Sequence, residues 1–88
     1  MKIVWTPRAK EDYLYWSKTS QKVLGAINDL IRDIQRDPFK GLGKPEPLKY
    51  KLQGLWSRRI TREDRLVYRV TGSGDTQQAE ILQCRYHY

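Results

Sequence analysis

Val23, Leu24, Ile27, Leu30, Ile31 and Ile34 recur at the spacing of one helix face, the strongest periodicity in the chain. The spacing predicts an amphipathic helix that starts at Thr19 or Ser20 and stops at Asp37-Pro38, because proline pushes the residue before it out of helical geometry. Its other face carries Lys22, Asn28, Asp29, Arg32, Asp33 and Arg36, so the apolar stripe is expected to lie on a sheet. Gly25, unfavourable there by about 1 kcal/mol relative to alanine, reads as a point of close helix approach. A shorter helix precedes it. Thr6 can cap that helix with Pro7 at its first position, where the missing N–H costs nothing, and the pattern runs to about Ser17. Tyr13, Leu14 and Trp16 make its modest stripe, with Arg8, Lys10, Glu11 and Asp12 on the wet side.

Elsewhere the period falls to two. Lys2 to Trp5 reads as a short strand, and Leu55–Thr61 and Arg65–Val70 are rich in β-branched and aromatic residues, with Arg62-Glu63-Asp64 able to reverse the chain between them. With those residues as the loop of a hairpin, Thr61 lies opposite Arg65 and Arg59 opposite Val67. One face then carries Trp56, Ile60, Leu66, Tyr68 and Val70. The other carries Ser57, Arg59, Thr61, Arg65, Val67 and Arg69, so three guanidinium groups share it. A one-residue slip would tear the apolar face from its core. Ala79 to Tyr88 also alternates, with Ala79, Ile81, Gln83, Arg85 and His87 against Glu80, Leu82, Cys84, Tyr86 and Tyr88; Cys84 reads as a small buried apolar group. Lys49 to Leu52 reads as a short strand, Gln53-Gly54 and Gly72-Ser73-Gly74-Asp75 as turns, and Pro38 to Leu48, with two glycines and three prolines, as a stretch without regular structure. The order β-α-α-(β)-β-β-β is that of an α+β fold, two N-terminal helices packed on a twisted, mainly antiparallel sheet.

Length and charge narrow the class. The 88 residues suit a single domain spanning 1–88. Lysine plus arginine number 17 against 10 acidic residues, a net charge of +7, which implies a polyanionic partner. Apolar runs of only a few residues exclude a membrane span and favour nucleic acid over lipid. The N-terminus lacks the apolar run of a signal peptide, and Cys84 alone gives neither a disulfide framework nor metal-ligand spacing, so a reducing cytoplasm is expected.

The sole histidine, His87, has no partners for a metal site or a Ser-His-Asp triad. Acid–base chemistry on a phosphate remains. Cleaving RNA through its own 2′-hydroxyl needs a base at that hydroxyl, an acid at the leaving 5′-oxygen and fixed cations at the phosphoryl oxygens. Glu46, held between Pro45 and Pro47, is the candidate base, His87 the acid, and Arg65 with Arg59 the phosphate clamp, a role that suits the planar guanidinium fork. Neither a metal nor a cofactor is required. By local sequence alone Glu46 is equally a solvated loop tip and His87 a frayed chain end, and the residues leave both readings open.

At Lys44-Pro45-Glu46-Pro47-Leu48-Lys49, Gly54-Leu55-Trp56-Ser57-Arg58-Arg59-Ile60-Thr61, Arg65-Leu66-Val67-Tyr68 and Cys84-Arg85-Tyr86-His87-Tyr88 the sequence resembles the YoeB (Txe) toxins of bacterial toxin–antitoxin systems, within the RelE-like superfamily. Asp12-Tyr13-Leu14-Tyr15-Trp16 and Asp37-Pro38-Phe39 extend the likeness over essentially the whole chain. The resemblance implies a microbial-ribonuclease-like fold and an mRNA endoribonuclease acting in the ribosomal A site. The partners it implies are mRNA and the ribosome, a YefM-like antitoxin whose disordered segment wraps the toxin, a second copy of the chain, and operator DNA only through the antitoxin complex. It assigns Glu46 as general base, His87 as general acid, Arg65 as transition-state stabiliser and Tyr88 as a substrate-positioning residue, with Lys49 and Arg59 as further basic positions lining the site; Lys44, beside Glu46, is a further candidate for RNA or phosphate binding. Tyr50, where a smaller or more polar residue is expected, and a longer Gly72 to Gln78 connection depart from the pattern. Two other classes stand beside this one. A translation inhibitor could occupy the ribosome without cleaving, and a DNA-binding regulator would need a helix-turn-helix signature that the sequence lacks.

Overall fold

A computed structural model describes residues 1–87; Tyr88, expected to help position substrate, lies outside the described residues. The elements run β1 Lys2–Trp5, α1 Pro7–Thr19, α2 Gln21–Arg36, β2 Glu46–Pro47, β3 Trp56–Arg59, β4 Arg65–Thr71 and β5 Gln78–Gln83, with 3₁₀ turns at Tyr50–Leu52 and Gly74–Thr76. The strands form one sheet in the order β1-β5-β4-β3-β2, in which β1 runs parallel to β5 and the other neighbours are antiparallel. The expected α+β architecture is present, two helices on a mainly antiparallel sheet.

The helix boundaries follow from their caps. The Thr6 hydroxyl oxygen accepts from the Ala9 N–H at 3.2 Å while Pro7 opens α1, and the same hydroxyl donates to the Ile81 carbonyl at 3.1 Å, tying the helix start to β5. Ser20, in extended geometry, both ends α1 and caps α2 by accepting from the Val23 N–H. Ile27, Leu30 and Ile34 of α2 and Ala9 of α1 are buried with Leu66, Tyr68, Ala79 and Ile81 of the sheet. Each fully buried isoleucine contributes about 1.5–3 kcal/mol. Gly25 is exposed, and a Cβ there would meet no atom within 4 Å, so no close helix approach explains it.

Several expectations change in detail. The hairpin pairs Arg59 with Arg65 and Ser57 with Val67, two residues away from the expected register, because Ile60 to Asp64 form a wider loop. In that loop the Ile60 and Thr61 N–H groups both donate to the Asp64 carbonyl, and Thr61 Oγ1 accepts from the Glu63 and Asp64 N–H groups. An even shift keeps every side chain on its predicted face. β5 carries a bulge, with Ile81 opposite Tyr68 but Gln83 opposite Val67, and the strand ends at Gln83. Ile81 and Cys84 are therefore both buried, where strict alternation sets them on opposite faces. Lys49–Leu52 is not a strand but leads into a 3₁₀ turn, and the proline-rich stretch instead supplies β2, an edge position that tolerates proline. Asp12 and Asp33, placed on the wet helix faces by the pattern, are buried.

Candidate functional site

Strand register sets three of the predicted residues on the sheet face away from the helices. Directly paired residues of neighbouring strands point to the same side. Glu46 pairs with Ser57, Ser57 with Val67 and Val67 with Gln83, giving one row across four strands; Arg59 and Arg65 form the next row, about 7 Å along the strands. Glu46 and both arginines thus share a face, as the alternation requires.

The loop before Glu46 is fixed from beneath by Arg58, a residue the sequence pattern leaves unassigned. Arg58 lies on the helix-facing side at 0 % exposure, and all five of its N–H groups are used. Nε donates to the Tyr68 hydroxyl at 3.1 Å, Nη1 to Asp33 Oδ2 at 2.5 Å and the Leu42 carbonyl at 3.1 Å, and Nη2 to the carbonyls of Asp37 and Lys40 at 2.7 and 3.2 Å. The Tyr68 hydroxyl in turn donates to the Pro38 carbonyl at 2.7 Å. Four carbonyls of residues 37–42 are therefore held by two side chains of the sheet. The Leu42 N–H, foremost, and then Arg36 and Arg58 hold the Asp33 carboxyl down to about 2, against the opposing effect of burial. Burial raises the Tyr68 hydroxyl, with Arg58 acting against it. Gly43 then brings the chain over β3: its carbonyl accepts from the Arg59 N–H at 2.7 Å, its φ is +76°, and a Cβ there would lie 2.9 Å from both the Arg59 carbonyl oxygen and Leu30 Cδ2. Lys44 follows, also with positive φ, and β2 begins.

Beyond Glu46 the chain forms a groove of about 300 Å³ lined by Glu46, Pro47, Leu48, Lys49, Tyr50 and Leu52. Tyr50 has φ 58° and is 90 % exposed. That backbone conformation is uncommon for a bulky side chain, so Tyr50 departs structurally as well as chemically from the expected smaller or more polar residue. Lys49 borders this groove next to Glu46, whereas Arg59, Arg65 and His87 do not line it.

Arg65 is half-buried and folds back over the hairpin loop. Its Nη1 donates to the carbonyls of Thr61, Arg62 and Asp64 at 3.0, 3.2 and 3.1 Å, while Nε and Nη2 make no hydrogen bond among the described residues. One edge of the guanidinium is thus anchored to the hairpin loop.

After the bulge the chain bends rather than continuing as a strand. The Cys84 N–H donates to Asp12 Oδ2 at 3.1 Å and Trp16 Nε1 donates to the Cys84 carbonyl at 2.9 Å, which explains the burial of Asp12. Burial foremost, with Asp12 adding to it, pushes the Cys84 thiol up to about 12, so it is an inert packing group. The Arg85 guanidinium lies between the rings of Tyr15 and Tyr86, 3.4 and 4.5 Å from their centroids. The Tyr86 N–H donates to Asp64 Oδ1 at 2.7 Å and its carbonyl accepts from the Arg65 N–H at 3.0 Å. Gln83 Nε2 donates to the carbonyls of Arg85 and His87, each at 3.2 Å. Gln83 belongs to the Glu46 row, so its bond ties the His87 backbone to that row.

Arg58, Asp33, Asp64 and Gln83 support this arrangement and were not singled out from sequence. The available signal for Arg58 was its inward parity between Trp56 and Ile60. Among the described residues no helix is long and apolar enough to cross a membrane.

Comparison with known proteins identifies the lineage. The Escherichia coli K12 protein "Toxin YoeB" is 52 % identical over 88 residues, covering 100 % of each chain. A YoeB/ParE toxin structure from Agrobacterium tumefaciens superposes with a TM-score of 0.95 at 57 % identity, covering 100 % of each chain. The Staphylococcus aureus YoeB–YefM complex gives 0.85 at 43 % identity, covering 100 % of this chain and 98 % of the other. A family model described as the YoeB-like toxin of bacterial type II toxin–antitoxin systems matches residues 5–88, and the chain belongs to that family.

Proposed function

We propose that this toxin is an mRNA endoribonuclease that acts in the ribosomal A site and cleaves by metal-free transesterification. The observation that carries the reading is the shared face of Glu46, Arg59 and Arg65, with His87 tied to it through Gln83. In the reaction Glu46 takes the proton of the 2′-hydroxyl, and the 2′-oxygen attacks the adjacent phosphorus. Arg65, through the guanidinium edge that faces away from the loop, and Arg59 hold the non-bridging oxygens as charge develops there. His87 gives a proton to the departing 5′-oxygen, leaving a 2′,3′-cyclic phosphate and a 5′-hydroxyl. Lys44 and Lys49 receive flanking phosphates, and Tyr88 helps hold the substrate. General acid–base groups of this kind contribute about 10²–10⁴-fold each.

Its partners in this reading are the ribosome and mRNA, a YefM-like antitoxin that masks the site, a second copy of the chain, and operator DNA reached only through the antitoxin complex, all in the cytoplasm. The Staphylococcus aureus relatives, one a structure of a YoeB dimer and one a YoeB–YefM complex, support the protein partners.

The test maps RNA ends in translating and ribosome-free reactions with a 2′-deoxy control at the cleaved position. Expected are 2′,3′-cyclic phosphate ends formed only on ribosomes, and a loss of about 10²-fold or more in rate for Glu46→Ala and for His87→Ala. Cleavage of the 2′-deoxy control would remove the mechanism. Full translational arrest by both variants over intact mRNA would make the protein a non-cleaving ribosome-binding inhibitor.

A further inference from the structure

The last residues of a chain normally fray unless tied down. Here each described residue after β5 is held: Cys84 by Asp12 and Trp16 of α1, Arg85 by Tyr15 of α1 and by Gln83, Tyr86 by the hairpin loop, and the His87 carbonyl by Gln83. The contact nearest His87 on its N-terminal side is the Tyr86 clamp, and it has two halves. The Arg65 N–H donates to the Tyr86 carbonyl, and the Tyr86 N–H donates to Asp64 Oδ1. Tyr86 takes φ 67°, a left-handed conformation that bulky residues disfavour and keep only when their surroundings impose it. That conformation turns the chain so that the next residue, His87, comes back over Gln83 instead of running on from β5.

Asp64 is built for this duty. Its Oδ2 accepts from the Thr61 hydroxyl at 2.8 Å, which orients the carboxylate, and its Oδ1 is thereby aimed at Tyr86. Its own carbonyl accepts from Arg65 Nη1 at 3.1 Å. One residue therefore joins the loop that holds the Arg65 guanidinium to the bend that delivers His87. We propose that Asp64 is a positioning residue: it sets the distance between His87 and Arg65 by clamping the Tyr86 amide, without itself touching substrate. This rests on the reading of His87 as the general acid.

The experiment uses the full 88-residue chain. Hydrogen exchange of the Tyr86 amide and 15N relaxation of Tyr86 and His87 report the clamp directly, and single-turnover cleavage on mRNA-programmed ribosomes reports its consequence. Asp64→Ala is expected to lower Tyr86 protection at least about tenfold and the cleavage rate by about 10²-fold, with the concentration for half-maximal rate little changed, since a shift near 1 Å in a reacting group has effects of that size. Asp64→Asn keeps an acceptor oxygen for Tyr86 and is expected to restore most of both. Asp64→Glu, which keeps the charge but moves the carboxylate by one methylene, carries the same expectation as alanine should Asp64→Ala fail to fold. Unchanged Tyr86 protection in Asp64→Ala or Asp64→Glu overturns the proposal. So does lost protection with an unchanged rate while His87→Ala abolishes cleavage. If His87→Ala also cleaves normally, the acid assignment fails instead.

Discussion

Arg58 donates five hydrogen bonds from a fully buried position, and only Asp33 among its partners carries a compensating charge. Asp33→Ala leaves the guanidinium buried without that charge and is expected to lower unfolding stability by about 3–5 kcal/mol, read as a fall in urea midpoint at constant m-value. The pH dependence follows from the same carboxylate. Its folded pKa of about 2 lies below the ordinary 3.8, so the folded state favours the ionised form. The stabilisation is complete above the ordinary carboxylate range and is lost as pH falls from about 4 to about 2. Urea midpoints across that window are expected to drop less for Asp33→Asn than for the parent chain. This pair shows what residue-level reading of a sequence catches and misses. An arginine between inward-facing Trp56 and Ile60 looks like an exception to its pattern, whereas Asp33 reads as one more polar residue on the wet face of α2. Only their proximity across 25 sequence positions makes them one salt bridge.

Loops decide where the strands of this sheet place their chemistry. The segment from Asp37 to Pro45 carries Glu46 to the edge of β3, and Gly43 is its closest pass. Gly43→Ala combines a positive φ with a 2.9 Å contact to backbone and is expected to cost about 1–3 kcal/mol, measured by thermal unfolding, with cleavage falling further than stability because Glu46 moves with the loop. At this scale the sequence is legible where periodicity is long. Both helices, their threonine and serine caps, and the two faces of the hairpin follow from residue spacing. The hairpin register does not, since a loop without glycine has no marked length, and its faces survive only because the discrepancy is even. The bulge in β5 leaves no compositional trace. It is visible solely as Ile81 and Cys84 both being buried, three residues apart. Glu46 and Arg65 could be assigned to a common face from pattern and resemblance together, whereas Asp64 and Gln83 act through backbone groups that no motif records.

For the molecule as a whole, charge sets the strength of association. The +7 balance predicts that binding to RNA or ribosomes weakens steeply with salt. If Lys44, Lys49, Arg59 and Arg65 are its phosphate contacts, the slope of log affinity against log salt is about −3 for single-stranded RNA, and Lys49→Ala reduces its magnitude by about 0.7, as titrations over a salt series would show. The parallel pairing of β1 with β5 has a different reach. Lys2 to Trp5 can join the sheet only through Gln78 to Ile81, and the bend carrying His87 follows β5 directly. Synthesis delivers the chain from its N-terminus, so the first strand waits for the last, and helices without that strand have no finished sheet to cover. An incomplete chain therefore lacks both the partner of β1 and the bend that holds His87, so the face shared by Glu46 and Arg65 gains its fourth strand only once β5 has been made.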